Sequence, residues 1–104
     1  MSDRKEWSFE EDLVACALYA VTEYSKIKEA NPQIIEVAGK LNCNPSALVK
    51  KLTMYAGLDP VGQAKGHKGY KGSASFQMKS IFALFYQDWQ EVMKRAEKIV
   101  GPLR

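Results

Sequence analysis

The chain has 104 residues, 46% of them hydrophobic, and 15 Lys/Arg against 12 Asp/Glu give a formal net charge of +3. This length and apolar content predict one helical domain, residues 1–104, with a single modest core. No apolar run approaches the roughly 20 residues that a membrane-spanning helix needs, and the acidic, tryptophan-bearing N-terminus lacks a signal-peptide pattern. We therefore expect a cytoplasmic protein that does not bind membranes.

The first predicted helix opens at Ser8. Ser8 and Glu11 have the spacing of a capping box, and apolar residues then recur at helical spacing to about Tyr24 or Ile27. The acids of the first turn, residues 10–12, lie at the positive end of the helix dipole, so we interpret them as dipole and solubility charges.

The two cysteines are Cys16, inside the apolar run of this first helix, and Cys43, in a later turn. They lack the CxxC spacing of a metal site or a redox motif. We therefore expect two small packed residues, with no disulfide and no metal.

A helix-turn-helix is predicted at about residues 32–56. Asn31-Pro32 starts its first helix, which runs to about Lys40, and Asn42 suits a left-handed turn conformation. Asn44-Pro45 then starts the second helix, which runs to about Tyr55 with Gly57 as its stop.

Helical spacing divides this second helix into two faces. Leu48 and Leu52 point inward, and Leu41 can pack against Leu48 beneath the turn. In helix-turn-helix proteins the outer face of the second helix enters the major groove of DNA. The predicted DNA-reading residues are Asn44, Ser46, Ala47, Lys50 and Lys51. The alternative is an ordinary helical hairpin, which needs a similar turn.

The charges are unevenly distributed. Residues 1–39 hold four Lys/Arg against eight Asp/Glu, whereas residues 40–79 hold seven lysines and a single acid, Asp59. A stretch with lysines and almost no carboxylates suits a polyanionic partner, because acids near a phosphate would repel it. A solvated lysine surface is the alternative, and the scarcity of acids favours nucleic acid.

Residues 61–74 are predicted to form a glycine- and lysine-rich loop. Four glycines at near-regular spacing disfavour a helix, and they match neither a Walker nor a dinucleotide-binding pattern. Such a loop suits a phosphate backbone, although a solvated connector has the same composition. Its predicted DNA-contacting residues are Lys65, His67, Lys68, Tyr70 and Lys71.

The last predicted helix is the longest, at about residues 75–100. Ser73 or Ser75 caps it, and an apolar, aromatic stripe from Phe76 through Trp89 to Val100 is expected to face the core. A continuous helix of this length would span roughly 37 Å. It must therefore bend near Gln87-Asp88 or project beyond the core, and a projecting end would suit a protein partner or a homodimer. Together these elements predict an all-α bundle of about four helices.

Residues 41–60 resemble the N-terminal helical domain that precedes the nuclease in many HNH-type restriction endonucleases. The shared features are Leu41, Pro45, Lys51-Leu52, Tyr55-Ala56 and Leu58-Asp59-Pro60; Trp7 with Glu10-Glu11, and Phe85 with Asp88-Trp89, extend the similarity over nearly the whole chain. The family often has Gly-Arg where this chain has Asn42-Cys43, and Asn where it has Met54. The Trp-Ser-x-Glu-Glu opening is also similar to Myb/SANT domains. Both resemblances imply DNA binding, the first with a link to restriction, defence or phage biology.

No catalytic set is predicted. His67 is the chain's single histidine, it has no neighbouring acid in the sequence, and an HNH site needs further His/Asn ligands. We therefore expect no enzyme activity, no metal and no cofactor.

Three functions remain open: double-stranded DNA binding, protein interaction by a helix-turn-helix shape, and RNA binding. Specific base contacts most often use arginine, and none lies between Lys5 and Arg95, which favours a protein partner. The few loop aromatics disfavour RNA. DNA binding is the prediction that the charge pattern favours.

Overall fold

The computed structural model describes residues 6–67, 69 and 74–103, and all regular structure within these residues is helical. The predicted all-α class is confirmed, with more helices than expected. The described residues form six α-helices, with one 3-10 turn, Tyr24–Lys26, between the first two: α1 (Phe9–Val21), α2 (Pro32–Lys40), α3 (Pro45–Leu58), α4 (Pro60–Ala64), α5 (Phe76–Gln87) and α6 (Trp89–Val100).

Helix α1 forms the centre of the bundle. Its residues 13–18 are all fully buried, and α3, α5 and α6 each pack against it. A helical segment that is apolar on every side, as residues 13–18 are, has to be covered on every side, which explains this position. The predicted capping box of Ser8 and Glu11 is confirmed. The helix ends at Val21, earlier than predicted, because Thr22 adopts an extended backbone and donates its hydroxyl to the Leu18 carbonyl at 2.6 Å.

Three helices begin with a polar residue followed by proline. Asn31-Pro32 and Asn44-Pro45 start α2 and α3 as predicted, although the Asn44 side chain makes no capping hydrogen bond. The third pair is Asp59-Pro60, which starts the short helix α4. The prediction that residues 61–74 are entirely non-helical is therefore wrong, since Asp59 accepts a hydrogen bond from the Val61 amide and restarts the helix.

The predicted long C-terminal helix is two helices, so a single helix over residues 75–100 is wrong. The expected bend near Gln87-Asp88 is confirmed: Asp88 leaves the helical conformation, and its side chain accepts from the Glu91 amide at 3.2 Å. Helix α6 turns back to pack against α1 and α5, burying Val92, Ala96 and Val100. The alternative of a projecting apolar end is wrong.

The aromatic residues of α5 and α6 divide between core and surface. Phe82 is buried, and its ring lies 5.1–6.4 Å from those of Tyr19, Tyr55, Phe85 and Tyr86. Phe76 and Trp89 are instead 84% and 57% exposed, so their predicted place in the core is wrong. Each stands at the first position of its helix, before the helix is covered by its neighbours.

Candidate nucleic-acid interface

The turn between α2 and α3 has the predicted geometry. Asn42 has a φ of 58°, the left-handed conformation, and the Cys43 amide donates to the Ala38 carbonyl at 3.0 Å. Leu41 and Leu48 are both buried on either side of this turn. Four residues, 41–44, therefore connect α2 to α3, and the beginning of α3 is exposed at the surface.

The exposed part of α3 is its N-terminal half. Asn44, Ser46 and Lys50 are exposed and Ala47 is half-buried, whereas Leu48 and Leu52 face the core as predicted. No carboxylate occurs between residues 37 and 58. This surface (Asn44, Ser46, Ala47 and Lys50), which we call the α3 face, combines a cation with neutral hydrogen-bonding groups.

Lys51 does not belong to the α3 face, and its predicted outward orientation is wrong. Its ammonium group lies 2.9 Å from the Asp12 carboxylate, and the two side chains are 15% and 1% exposed. The same ammonium lies 4.9 Å from the Trp7 ring centroid and 3.6 Å from the Met78 sulfur. Lys51 is therefore part of an internal ion pair between α1 and α3.

Asp12 is likewise not the solvated charge that its place in the first turn of α1 predicts. Gln77 of α5 donates to its carboxylate at 2.6 Å and to the Trp7 carbonyl at 3.1 Å. The buried Tyr55 hydroxyl donates to the Asp12 backbone carbonyl at 2.8 Å. A buried charge is tolerated when it is paired and hydrogen-bonded, so this group connects α1, α3 and α5.

Two described residues of the segment predicted as a basic loop, Gln63 and Gly69, contact the C-terminal half of α3. Gln63 of α4 donates to the carbonyls of Ala56 and His67, which holds the start of the loop at the end of α3. Further along, Gly69 contacts α3 so closely that a Cβ there would lie 2.5 Å from the Thr53 carbonyl oxygen. Three predicted loop residues lie outside the described residues: Lys68, Tyr70 and Lys71.

The two described loop residues of the predicted set lie away from the α3 face. His67 stacks on Tyr24 at a ring distance of 4.2 Å, and Lys65 is exposed nearby. Both line a pocket of about 300 Å³ between the end of α1 and α4. Because α4 follows the C-terminus of α3, His67 and Lys65 are at the opposite end of that helix from Asn44.

Asp59 lies in this pocket and is the centre of a hydrogen-bond network that sequence reasoning missed. Tyr19 of α1 donates to it at 2.7 Å and Tyr86 of α5 at 3.0 Å. Partial burial opposes ionisation of Asp59, but the hydrogen bonds from the two tyrosines and from the Gly62 and Val61 amides outweigh it and lower the pKa of the carboxyl. The sequence signal for a structured Asp59 is the Asp59-Pro60 pair, because a polar residue followed by proline also starts α2 and α3.

The pKa values of the two tyrosines shift in the opposite direction to that of Asp59. Burial, together with the hydrogen bond to the ionised Asp59, raises the pKa of Tyr19 and, less strongly, that of Tyr86. Both hydroxyls therefore keep their protons at neutral pH and donate hydrogen bonds to the carboxylate.

Cys16 is fully buried, as predicted, and Cys43 is partly buried; the two are not joined by a disulfide. Burial, and then the charge of Asp12, raise the pKa of Cys16 to about 12. The described part of the chain contains no cluster of three or more His, Cys, Asp or Glu arranged for a metal. None of its helices combines the length and the apolar character needed to cross a bilayer.

Comparisons with protein families, with curated proteins and with solved structures give no match for this chain. The resemblance to the HNH-associated and Myb-like domains therefore rests on the sequence motifs alone and stays a prediction.

Proposed function

We propose that this chain is a non-catalytic, cytoplasmic DNA-binding module that inserts the first two turns of α3 into the major groove. The observation that carries the proposal is the α3 face, which is exposed, contains Lys50, and lies in a stretch without carboxylates from residue 37 to residue 58.

The side chains of this face suit the groove chemically. Asn44 and Ser46 offer an amide and a hydroxyl for base edges, Ala47 offers a methyl group for thymine, and Lys50 reaches a guanine or a phosphate. The contact of Gly69 with the C-terminal half of α3 leaves the first turns as the accessible part. This agrees with helix-turn-helix proteins, in which the N-terminal residues of the second helix contact the bases.

The test is fluorescence anisotropy with a labelled random-sequence DNA duplex over a series of salt concentrations. We expect binding that weakens with salt, and Lys50→Ala should lower the slope of log K against log salt by roughly one if the lysine contacts a phosphate. If it contacts a base, the change should instead alter preference among defined duplexes.

Lys94→Ala is the matched control, because Lys94 is also an exposed helical lysine but lies on α6. It should leave affinity and slope unchanged. Lys51→Ala is unsuitable, since it removes an internal ion pair. Neutralising Lys65, Lys68 and Lys71 together tests the predicted loop contacts: all duplexes should weaken about equally while base preference survives.

A protein-interaction module is the second candidate, and the observation that favours it is the exposure of Phe76 and Trp89. Exposed aromatic side chains are common at protein interfaces. The absence of salt-dependent duplex binding would reject the DNA proposal and favour this one.

A further inference from the structure

The pocket around Asp59 is lined by this carboxylate, by Tyr19 and by three further aromatic residues, Tyr24, His67 and Phe85. Asp59 accepts hydrogen bonds from both tyrosine hydroxyls and from the Val61 amide. The hydroxyl protons of Tyr19 and Tyr86 are therefore directed at the carboxylate. The Tyr19 oxygen is left with lone pairs, so Tyr19, which lines the pocket together with Asp59, offers a ligand a hydrogen-bond acceptor rather than a donor.

The charges of the pocket favour a cation. Its described lining contains Glu23, Asp59 and Lys65 as charged residues. Glu23 and Lys65 are both exposed and carry opposite charges, which leaves the partly buried Asp59 carboxylate as the net charge. Asp59 is the single acid of the lysine-rich segment, residues 40–79. The negative charge of the pocket is therefore local and opposite in sign to the charge of that segment.

The walls suit an organic cation better than a metal ion. Tyr24 and His67 stack nearly parallel, with 4° between their rings, and Phe85 lines the pocket as well. Aromatic faces attract ammonium groups through their quadrupoles and cover the attached methylene groups. The available volume of about 300 Å³ fits the lower end of small-molecule pockets.

We propose that this pocket binds a small alkylammonium group, which donates to the Tyr19 hydroxyl oxygen, is attracted by the Asp59 carboxylate, and packs its methylenes against Tyr24 and Phe85. The site is at the opposite end of α3 from the α3 face, so this binding does not depend on DNA binding.

The test is a chemical-shift titration of the full chain with butylammonium, using 1-butanol and butyrate as matched neutral and anionic probes at constant ionic strength. We expect saturable shifts at the Val61 and Gly62 amides with butylammonium, with a Kd on the order of millimolar for so small a ligand. Butanol and butyrate should bind at least about tenfold more weakly.

Asp59→Asn removes the charge and keeps the cap, because asparagine caps helices as well as aspartate does. It should weaken butylammonium binding by about tenfold or more. Asp88→Asn is the matched control, since Asp88 caps α6 in the same way and does not line the pocket. It should leave the binding unchanged. A thermal melt of each variant establishes that it is folded.

A blocked lysine peptide, titrated in parallel, separates two sources of the ammonium group. Tighter binding of the peptide assigns the site to a lysine side chain, and tighter binding of butylammonium assigns it to a free amine; both support the proposal. Equal binding of butanol and butylammonium, non-saturating shifts, or unchanged binding by Asp59→Asn would overturn it.

Discussion

Replacing Lys51 by methionine is expected to destabilise the fold strongly, although the helical pattern places this residue on the surface. Methionine keeps the length of the side chain and a high helix propensity, so the change removes mainly the ammonium group. Asp12, which is 1% exposed, then loses the cation that lies 2.9 Å from its carboxylate.

The magnitude follows from the burial of the pair. Removing one partner of a buried ion pair costs about 3–5 kcal/mol, because an uncompensated charge remains inside. The Lys51 side chain keeps 15% of its exposure, so water screens part of the interaction, and we expect about 3 kcal/mol. At roughly 4 °C or more per kcal/mol for a domain of this size, the midpoint of thermal unfolding should fall by about 12 °C or more.

The assay is urea denaturation followed by circular dichroism, with Lys50→Met as the matched control. Lys50 is the preceding residue of the same helix and is exposed, so its substitution should change the free energy of unfolding by less than about 0.5 kcal/mol. Asp12→Asn combined with Lys51→Met should be more stable than Lys51→Met alone. The double variant leaves no charge at the buried position 12, and the amide oxygen of the new asparagine side chain can still accept the hydrogen bond from Gln77.

Two results would refute this reasoning. One is a decrease of less than about 1 kcal/mol in the free energy of unfolding of Lys51→Met, which would show that the pair contributes no more than surface ion pairs do. The other is a double variant that is no more stable than Lys51→Met, because the cost would then not arise from the unpaired carboxylate.

Gly69→Ala should destabilise the protein by about 1–3 kcal/mol in the same assay, since the added Cβ would lie 2.7 Å from the Gly57 Cα. An unchanged stability would show that Gly69 does not pack tightly against α3. A thiol reagent should modify Cys43 faster than Cys16 in the native state, because Cys43 is only partly buried, whereas Cys16 is fully buried and burial raises its pKa to about 12; equal rates would contradict the assignment. The lowered pKa of Asp59 means that its ionised form stabilises the fold above the unfolded pKa of about 3.9, and that this stabilisation is lost as the pH falls through the folded value. The stability difference between the parent chain and Asp59→Asn should therefore shrink below about pH 4, and a constant difference would argue against an electrostatic contribution.

Features that depend only on residues close together in the sequence could be predicted from the sequence alone. The capping box at Ser8, the proline starts of α2 and α3 and the left-handed Asn42 all stand where the pattern predicts, and the break at Asp88 is one of the two alternatives that helix length left open. Each requires contacts within about four residues, so local chemistry is sufficient to specify it. The burial of Leu48 and Leu52 follows in the same way from helical periodicity.

Residues at the borders between helix faces take their roles from tertiary packing. Lys51 lies beside the inward-facing Leu52, and whether such a position meets water or protein depends on which helices approach it. Here α1 brings Asp12 and α5 brings Met78 to its side chain. The lysine that the pattern assigns to DNA is therefore an internal ion-pair partner.

The pocket likewise depends on packing. Asp59 is 40 residues from Tyr19 and 27 from Tyr86, and no local pattern connects them. The sequence indicates a helix cap at Asp59. The carboxylate also accepts two tyrosine hydrogen bonds, and these form only because α1 and α5 bring the hydroxyls to the start of α4. Side chains that are distant in the sequence thus form one hydrogen-bond network and one pocket because the helices that carry them pack together.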